Sequence, residues 1–459
     1  MVHVEVVETS ELGDRSYIAH DGVTAVVIDP QRDLDRLEAI LAGSDLTCAV
    51  VLETHVHNDY VTGGYELARR TGARYVLSAA DAVAFDRHAV HDGDELAAGR
   101  LRIRAVATPG HTDTHLAYLI DAPHDAPHEP PAAFTGGSLL YGSVGRTDLV
   151  DPARTEELTR AQFRSARRLA GLLSDDARVF PTHGFGSFCS SRPSSGDGRS
   201  TIGQERARND ALTVDDEDAF VAGLVAGLTA YPRYYAHMGA RNRQGPGPAD
   251  LSPPQPVQPD ELRKRIAAGQ WVVDLRDRTA YAAEHLAGSV GIALGEQFST
   301  YLGWLIPWGT PLTLIGDSAE QVGGAQRQLV RIGIDRPAGA AVGTPGELAA
   351  GYELRSYRRA TFADLAATSG AAACGPGPVV LDVRRDDERA CGHVAGSVHV
   401  PLHSLLERLD EVPDVQLWVH CASGFRASIA ASLLDRGGRE VVLIDDEYAT
   451  AVRIGLAPG

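Results

Sequence analysis

Apolar and polar positions alternate along the first 120 residues in short runs separated by turn-forming residues. "TAVVIDP" (24–30), "CAVVLETH" (48–55), "ARYVLS" (73–78), "LRIRAVATPGH" (101–111) and "HLAYLID" (115–121) are rich in Val, Ile and Leu. They have the length of strands. Between them, "QRDLDRLEAILAGS" (31–44) and "GGYELARRTG" (63–72) carry helical spacing. "DPARTEELTRAQFRSARRLAGLLSDD" (151–176) predicts a longer amphipathic helix, followed by the strand-like "ARVFPTHG" (177–184). Strands alternating with helices, with long loops after the strand ends, predict an α/β layered domain whose sites lie on its loops.

Two stretches break this pattern. Residues 184–206, "GFGSFCSSRPSSGDGRSTIGQER", are polar and Gly/Ser-rich and predict an exposed loop between His183 and Asn209. Residues 241–261, "RNRQGPGPADLSPPQPVQPDE", are rich in Pro and Gly and predict a linker. Beyond it a pattern recurs, first as "WVVDLRDRTAYAAEHLAGSVGIAL" (271–294), then as "VVLDVRRDDERACGHVAGSVHVPL" (379–402). Each copy holds an apolar strand ending in Asp-Leu/Val-Arg, a short helix, and His-x-Ala-Gly-Ser-Val, which marks a repeat of domain size. The expected organisation is a first domain over 1–240, a linker over 241–261, and two further domains over 262–355 and 356–459.

Composition narrows the class. The chain has 459 residues, 44% hydrophobic and 23% charged, enough for several packed cores. A net charge of −18 without a long basic run argues against nucleic acid and anionic membrane surfaces as partners. The first residues, "MVHVEVVETSELGDRSYIAHDG", lack a basic segment ahead of an apolar one, and no 18-residue apolar run occurs. Five cysteines (Cys48, Cys189, Cys374, Cys391, Cys421) are scattered through the chain and form no disulfide framework. The expected location is the reducing cytoplasm.

The first candidate chemistry lies in "THVHNDYVTGG" (54–64). Alternate residues of an extended segment share a face, so His55, His57 and Asp59 at a strand end can converge. His111 follows a second strand in "TPGHTDTH", and His183 a third in "FPTHG". Any one of these histidines could be a surface or capping residue, but together they form a set suited to zinc, iron or copper.

"THVHND", "TPGHT", "FTGGSLL…GRTDL" and "PTHG", in that order, resemble the metallo-β-lactamase fold over residues 1–240, and more narrowly its persulfide dioxygenase branch, related to glyoxalase II. "STIGQERARNDAL" (200–212) fits the same branch. The resemblance implies an αββα sandwich holding a metal by two histidines and one carboxylate. Two positions depart from the pattern: Tyr60 stands where a histidine is expected, and Gly137 where a carboxylate is expected. The implied centre is therefore one mononuclear ion drawing on His55, His57 and His111, iron(II) favoured with zinc as the alternative, and with Asp59 and His183 retained beside it. Tyr60 and Arg146, in "GSVGRTDL", are candidate substrate-binding residues, the arginine as a bidentate partner for a thiol's carboxylate.

The second candidate is "QLWVHCASGFRASIAASLLDRGG" (416–438), which reads as strand, tight loop and helix. The loop Cys421-Ala-Ser-Gly-Phe-Arg426 points backbone N–H groups and a helix N-terminus at the sulfur, and Arg426 adds a full charge. Gly424 permits the curvature. All of this favours a thiolate or a persulfide anion on Cys421. Segment 375–459 resembles a single-domain rhodanese, with Cys421 as the sulfur carrier. The earlier copy has Gly316-Asp317 at the matching point and no cysteine, so it resembles a degenerate rhodanese. The expected fold is thus a sandwich followed by two α/β domains with mainly parallel sheets.

These resemblances imply an enzyme of sulfide detoxification. A low-molecular-weight thiol persulfide is oxidised by O2 to sulfite, and sulfane sulfur moves between persulfide and sulfite or thiosulfate through Cys421. Two alternatives stay open: a zinc-dependent thioester hydrolase joined to a rhodanese, or a sulfurtransferase whose first domain binds thiols without oxidising them. A homo-oligomer is also left open.

Overall fold

The computed structural model describes residues 2–123, 129–192, 198–371 and 377–458. The described residues form two units. One reaches to Asp250 and takes in Val330–Gly333; the other holds Leu251–Leu329 and the residues from Ile334 on.

In the first unit the Val/Ile-rich runs become the middle of two six-stranded sheets. The first sheet has the order β1 (His3–Thr9), β2 (Asp14–His20), β3 (Thr24–Ile28), β4 (Thr47–Leu52), β5 (Arg74–Ser78), β6 (His88–Val90). β1 to β3 run antiparallel and β3 to β6 parallel. The second sheet contains β7 (Glu95–Ala98), β8 (Leu101–Ala107), β9 (Leu116–Asp121), β10 (Ala132–Gly136), β11 (Arg178–Pro181) and β12 (Ser200–Thr201), in the order β12-β11-β10-β9-β8-β7. The inner faces meet in one core, with Tyr17, Val26, Ile28 and Val50 from the first sheet against Ile103, Leu116, Tyr118 and Phe134 from the second. Helices Asp35–Gly43 and Gly64–Thr71 cover the outside of the first sheet through Leu37, Leu41 and Leu67. Helices Thr155–Leu172 and Glu217–Ala226 cover the second through Phe163, Leu169 and Phe220. Burying both faces of both sheets gives four layers, α/β/β/α.

The second unit holds two parallel sheets. One is ordered β15 (Val290–Gly291), β13 (Trp271–Asp274), β16 (Leu312–Gly316), β17 (Gly339–Val342). A short pair, β14 (His285–Leu286) with β18 (Leu354–Arg355), lies beside it. The other sheet is ordered β19 (Arg358–Ala360), β23 (Val441–Ile444), β22 (Leu417–His420), β20 (Val379–Asp382), β21 (Val398–His399). β15-β13-β16-β17 and β21-β20-β22-β23 have the same order, which is the sequence repeat seen in space. In each copy the arginine of the repeated motif grips the aspartate two residues before it: Arg276 on Asp274 and Arg384 on Asp382, both at 2.7 Å.

The Gly/Ser-rich stretch corrects the expectation of an exposed loop. Ser200–Thr201 pairs with β11, and helix Ile202–Arg208 follows, opened by a capping box between Thr201 and Gln204. Cys189 is fully buried. Buried Asn209 draws the segment inward by donating to the carbonyls of Leu140 and Ser143 at 3.1 and 2.7 Å. Residues 193–197 and Cys374 lie outside the described residues. Helix Tyr235–Gln244 runs into the Pro/Gly-rich stretch, and the unit boundary falls at Asp250 inside it. Among the described residues no helix is long and apolar enough to cross a membrane.

Candidate functional site

One edge of the first unit's sandwich collects strand ends. Asp14 opens β2, Asp29 follows β3, the segment from Glu53 to Tyr60 follows β4, His111 follows β8, Gly137 follows β10 and His183 follows β11. All the side chains named here are buried. The sequence-level expectation grouped His55, His57 and His111. In the structure, potential ligand atoms of His55, His111 and His183 lie within 4.8 Å of one another, whereas His57 falls in two other groups, with Asp59 and His183 and with Asp29 and Glu53.

Hydrogen bonding fixes which nitrogen of each ring faces inward. His111 Nδ1 donates to the Arg146 carbonyl at 2.7 Å. His183 Nδ1 pairs with Asp14 Oδ1 at 2.9 Å. Thr54 donates its hydroxyl proton to Asp29 Oδ2 at 2.7 Å, so it accepts from His55 Nδ1 at 2.9 Å. The Nε2 lone pairs of His55 and His111 are thereby turned inward, and His183 Nε2 joins them once its proton is lost, the usual arrangement of metal-ligating histidines. His55 Nε2 and His183 Nε2 face each other at 3.3 Å. Two nitrogens tetrahedrally bound to one ion at about 2.0–2.1 Å stand about 3.3–3.4 Å apart. His111 Nε2 and His57 Nδ1 are buried without a hydrogen-bond partner, and Asp59 Oδ2 lies 3.2 Å from His183 Nδ1. A bound cation would satisfy the unpartnered His111 Nε2 and take the place of the proton that otherwise lies between His183 and His55. The donor set fits a metal ion held by His55, His111 and His183, with Asp59 and His57 beside it.

The electrostatics favour neutral imidazole at His111 and His55 and a charged ring at His183 and His57. Burial, reinforced by the His183 charge, pulls His111 down to about 3, and burial with the His57 charge pulls His55 down. Burial opposes charge on His183, but Asp59 and Asp14 outweigh it and hold the ring protonated in the ion's absence. His57 is likewise pulled down by burial yet pushed up to about 9 by Asp29 and Glu53. Burial pushes Glu53 up to about 7, and burial with the Asp59 charge does the same to Asp14.

The two departures from the family pattern have physical consequences. A Cβ on Gly137 would collide with the His111 ring, so the space of the expected carboxylate is filled by imidazole. Tyr60 stacks on His57 with ring centres 4.3 Å apart, and its hydroxyl lies 2.9 Å from His57 Nε2. It is placed as a buried positioning group for His57. Arg146 corrects the expectation of a ligand-facing fork. Its bidentate edge is taken by Asp148 at 2.7 Å to each oxygen, and other N–H groups go to the carbonyls of Phe188 and Thr229. Sequence reasoning missed Asp14, Asp29, Glu53 and His115. His115 Nε2 accepts from the Gly137 N–H at 3.0 Å, and its ring stacks 4.8 Å from that of His55. Asp29 and Glu53 stand inside the quoted strands "TAVVIDP" and "CAVVLETH", and the signal was a carboxylate ending an apolar run.

In the second unit, β22 delivers Cys421 to a tight loop ahead of helix Phe425–Arg436. Cys421 is 1% exposed. Gly424 has φ +90°, and a Cβ there would lie 2.5 Å from Asp445 Oδ1, so both the turn and the close approach require glycine. Arg426, on the first turn of the helix, is gripped at both guanidinium ends by Glu388, one contact being 2.7 Å. On the first sheet of this unit, β16 ends at Gly316 and Asp317 stands where Cys421 follows β22.

Residues 366–449 match the family model described as rhodanese-like domain. A human mitochondrial persulfide dioxygenase is 27% identical over 209 residues, 45% of this chain and 72% of its own length. A hydroxyacylglutathione hydrolase of Acidiphilium cryptum is 39% identical over 168 residues, 36% of this chain and 62% of its own length. Among solved structures, a metallo-β-lactamase from Staphylococcus aureus superposes with a TM-score of 0.67 at 25% identity, covering 75% of this chain and 99% of that one. The chain therefore joins a metallo-β-lactamase-fold portion, homologous to persulfide dioxygenases and hydroxyacylglutathione hydrolases, to a C-terminal rhodanese-like domain.

Proposed function

We propose that the first unit oxidises a low-molecular-weight thiol persulfide and that Cys421 carries sulfane sulfur to or from the same pool. The observation that carries this reading is the buried cluster of His55, His111 and His183, whose ligand atoms lie within 4.8 Å of one another and two of whose Nε2 atoms stand 3.3 Å apart. An iron(II) ion held by His55, His111 and His183 would supply the O2 chemistry when bound. The overall balance is persulfide plus O2 plus water giving thiol, sulfite and two protons. Within that reaction the chain's own groups have separable tasks. Asp14, Thr54 and the Arg146 carbonyl fix the ring orientations. The His57–Glu53 contact at 3.1 Å can hold a proton beside the site. Burial of every donor keeps water from competing.

In the second unit the Cys421 thiolate attacks the outer sulfur of thiosulfate. The S–S bond breaks, sulfite leaves with its electron pair, and a persulfide remains on Cys421. An acceptor thiolate then takes that outer sulfur and restores the cysteine. One chain carrying both activities keeps the shared intermediate at high effective concentration.

The test is anaerobic reconstitution with iron(II), then O2 uptake on adding glutathione persulfide, beside His111→Ala. Uptake abolished by that substitution supports the reading. No uptake, with bound zinc and thioester turnover, favours the hydrolase. No stoichiometric metal, with sulfur transfer intact and dependent on Cys421, favours a thiol-binding first unit.

A further inference from the structure

The β13–β17 half of the second unit has no cysteine at the end of β16, yet it reaches the Cys421 loop. Tyr301, on helix Phe298–Leu305, packs edge-on to Phe425 with ring centres 5.7 Å apart. Arg278, at the start of helix Arg278–Ala283, donates from Nε to Asp445 Oδ1 at 2.6 Å. The same Nε would lie 3.4 Å from a Cβ built on Gly424, and Asp445 Oδ1 only 2.5 Å from it. Asp445 is thus pressed against the backbone that encloses the sulfur, and Arg278 sits on top of it.

A carboxylate at that place opposes negative charge on the sulfur. Of the other charged groups around the loop, Arg426 also feels the Cys421 charge, but among the described residues only Arg278 meets the Asp445 oxygen nearest the loop. Arg426 is committed to Glu388, and Arg359 reaches only Asp445 Oδ2, at 3.0 Å. Arg385 pairs with Asp387 at 3.1 Å and stands 3.6 Å from Glu388. His420 precedes Cys421, and Tyr448 donates its backbone N–H to Ala422 O at 2.7 Å. Arg278 is the cation the neighbouring sheet brings to the Asp445 oxygen nearest the loop.

We propose that Arg278 is a positioning residue for sulfur transfer: the cysteine-less half supplies it to neutralise Asp445, so that the thiolate and persulfide of Cys421 are favoured. Cys421 is among the groups whose charge acts on Arg278. The inference rests on Cys421 being the sulfur carrier, and the two fail differently.

The measurement is a pH titration of ultraviolet thiolate absorbance, taken as the difference from Cys421→Ser. The Arg278→Gln midpoint should rise by about half to one pH unit, because Arg359 still compensates part of the Asp445 charge. Arg278→Lys should recover most of the shift. Arg278→Gln/Asp445→Asn should fall between the Arg278→Gln and Asp445→Asn midpoints, because losing Arg278 also removes its direct attraction for the thiolate, and Asp445→Asn alone should titrate lower than wild type. An unmoved midpoint in Arg278→Gln or Asp445→Asn, or a double variant as high as Arg278→Gln, overturns the proposal. Sulfur transfer surviving in Cys421→Ser would instead overturn the reading of the carrier.

Discussion

Restoring the missing carboxylate at Gly137 should damage the site. A Cβ there would stand 2.6 Å from His111 Cγ and 3.0 Å from its Nε2, closer than real contacts allow. Gly137 is not among the residues with positive φ, so the penalty is contact and not backbone strain. The ring cannot retreat. Its Nδ1 is tied to the Arg146 carbonyl at 2.7 Å, its backbone N–H to Gln162 Oε1 at 2.7 Å, and Gly145 closes the other side, where a Cβ would lie 2.7 Å from Nδ1. Overpacking of this kind costs about 1–3 kcal/mol. For a unit of this size that is a fall in Tm of about 2–12 °C. Calorimetry with elemental analysis measures both consequences. The four tryptophans, Trp271, Trp304, Trp308 and Trp418, all lie in the second unit, so their emission is an internal control that should not move. Gly137→Ala and Gly137→Asp should both lower the first unit's transition, and neither should hold more metal than wild type. A Gly137→Asp variant that melts at the wild-type temperature and binds metal more tightly would refute the packing argument.

Two further outcomes follow from buried groups. His420 is held down to about 4 by burial, although Asp382 opposes this, against 6.5 for a free histidine. Between those values the unfolded chain binds a proton that the folded one does not, so stability is full above pH 6.5 and lost as pH falls toward 4, by about 3 kcal/mol. Tryptophan-detected denaturation across that window should show the slope in wild type and lose it in His420→Gln; an equal slope in both would discount it. Asp14→Asn removes the carboxylate that orients His183 and should weaken metal binding about 10–100-fold in chelator competition. Unchanged affinity would remove Asp14 from the centre.

Much of the fold could be read from the chain because period-2 apolar runs and helical stripes are local. β3, β4, β5, β8, β9 and β11 fall on the quoted apolar runs, and the three clearest helical stripes became helices. β1 alternates Val with polar residues in "VHVEVV", yet five of its seven residues are not buried, and the pattern is too short and exposed to stand out as an apolar run. The Gly/Ser-rich stretch misled for the opposite reason. Its composition is that of a loop, but Asn209 and a capping box at Thr201 commit part of it to the packed unit.

By itself the sequence determined the histidine set, the Cys421 loop and the repeat that ends once in Cys421 and once in Asp317. Those are properties of residue type and spacing, and folding does not alter them. Only the tertiary structure decided that His183 joins His55 and His111, that His57 turns to Asp29 and Glu53, and that Arg146 serves Asp148. It alone set the Arg278–Asp445 pair against the sulfur loop. Each of those choices turns on which atoms lie within about 3 Å in a dry interior. Residues 128 or 167 positions apart come that close only when strands and helices from distant parts of the chain are packed together.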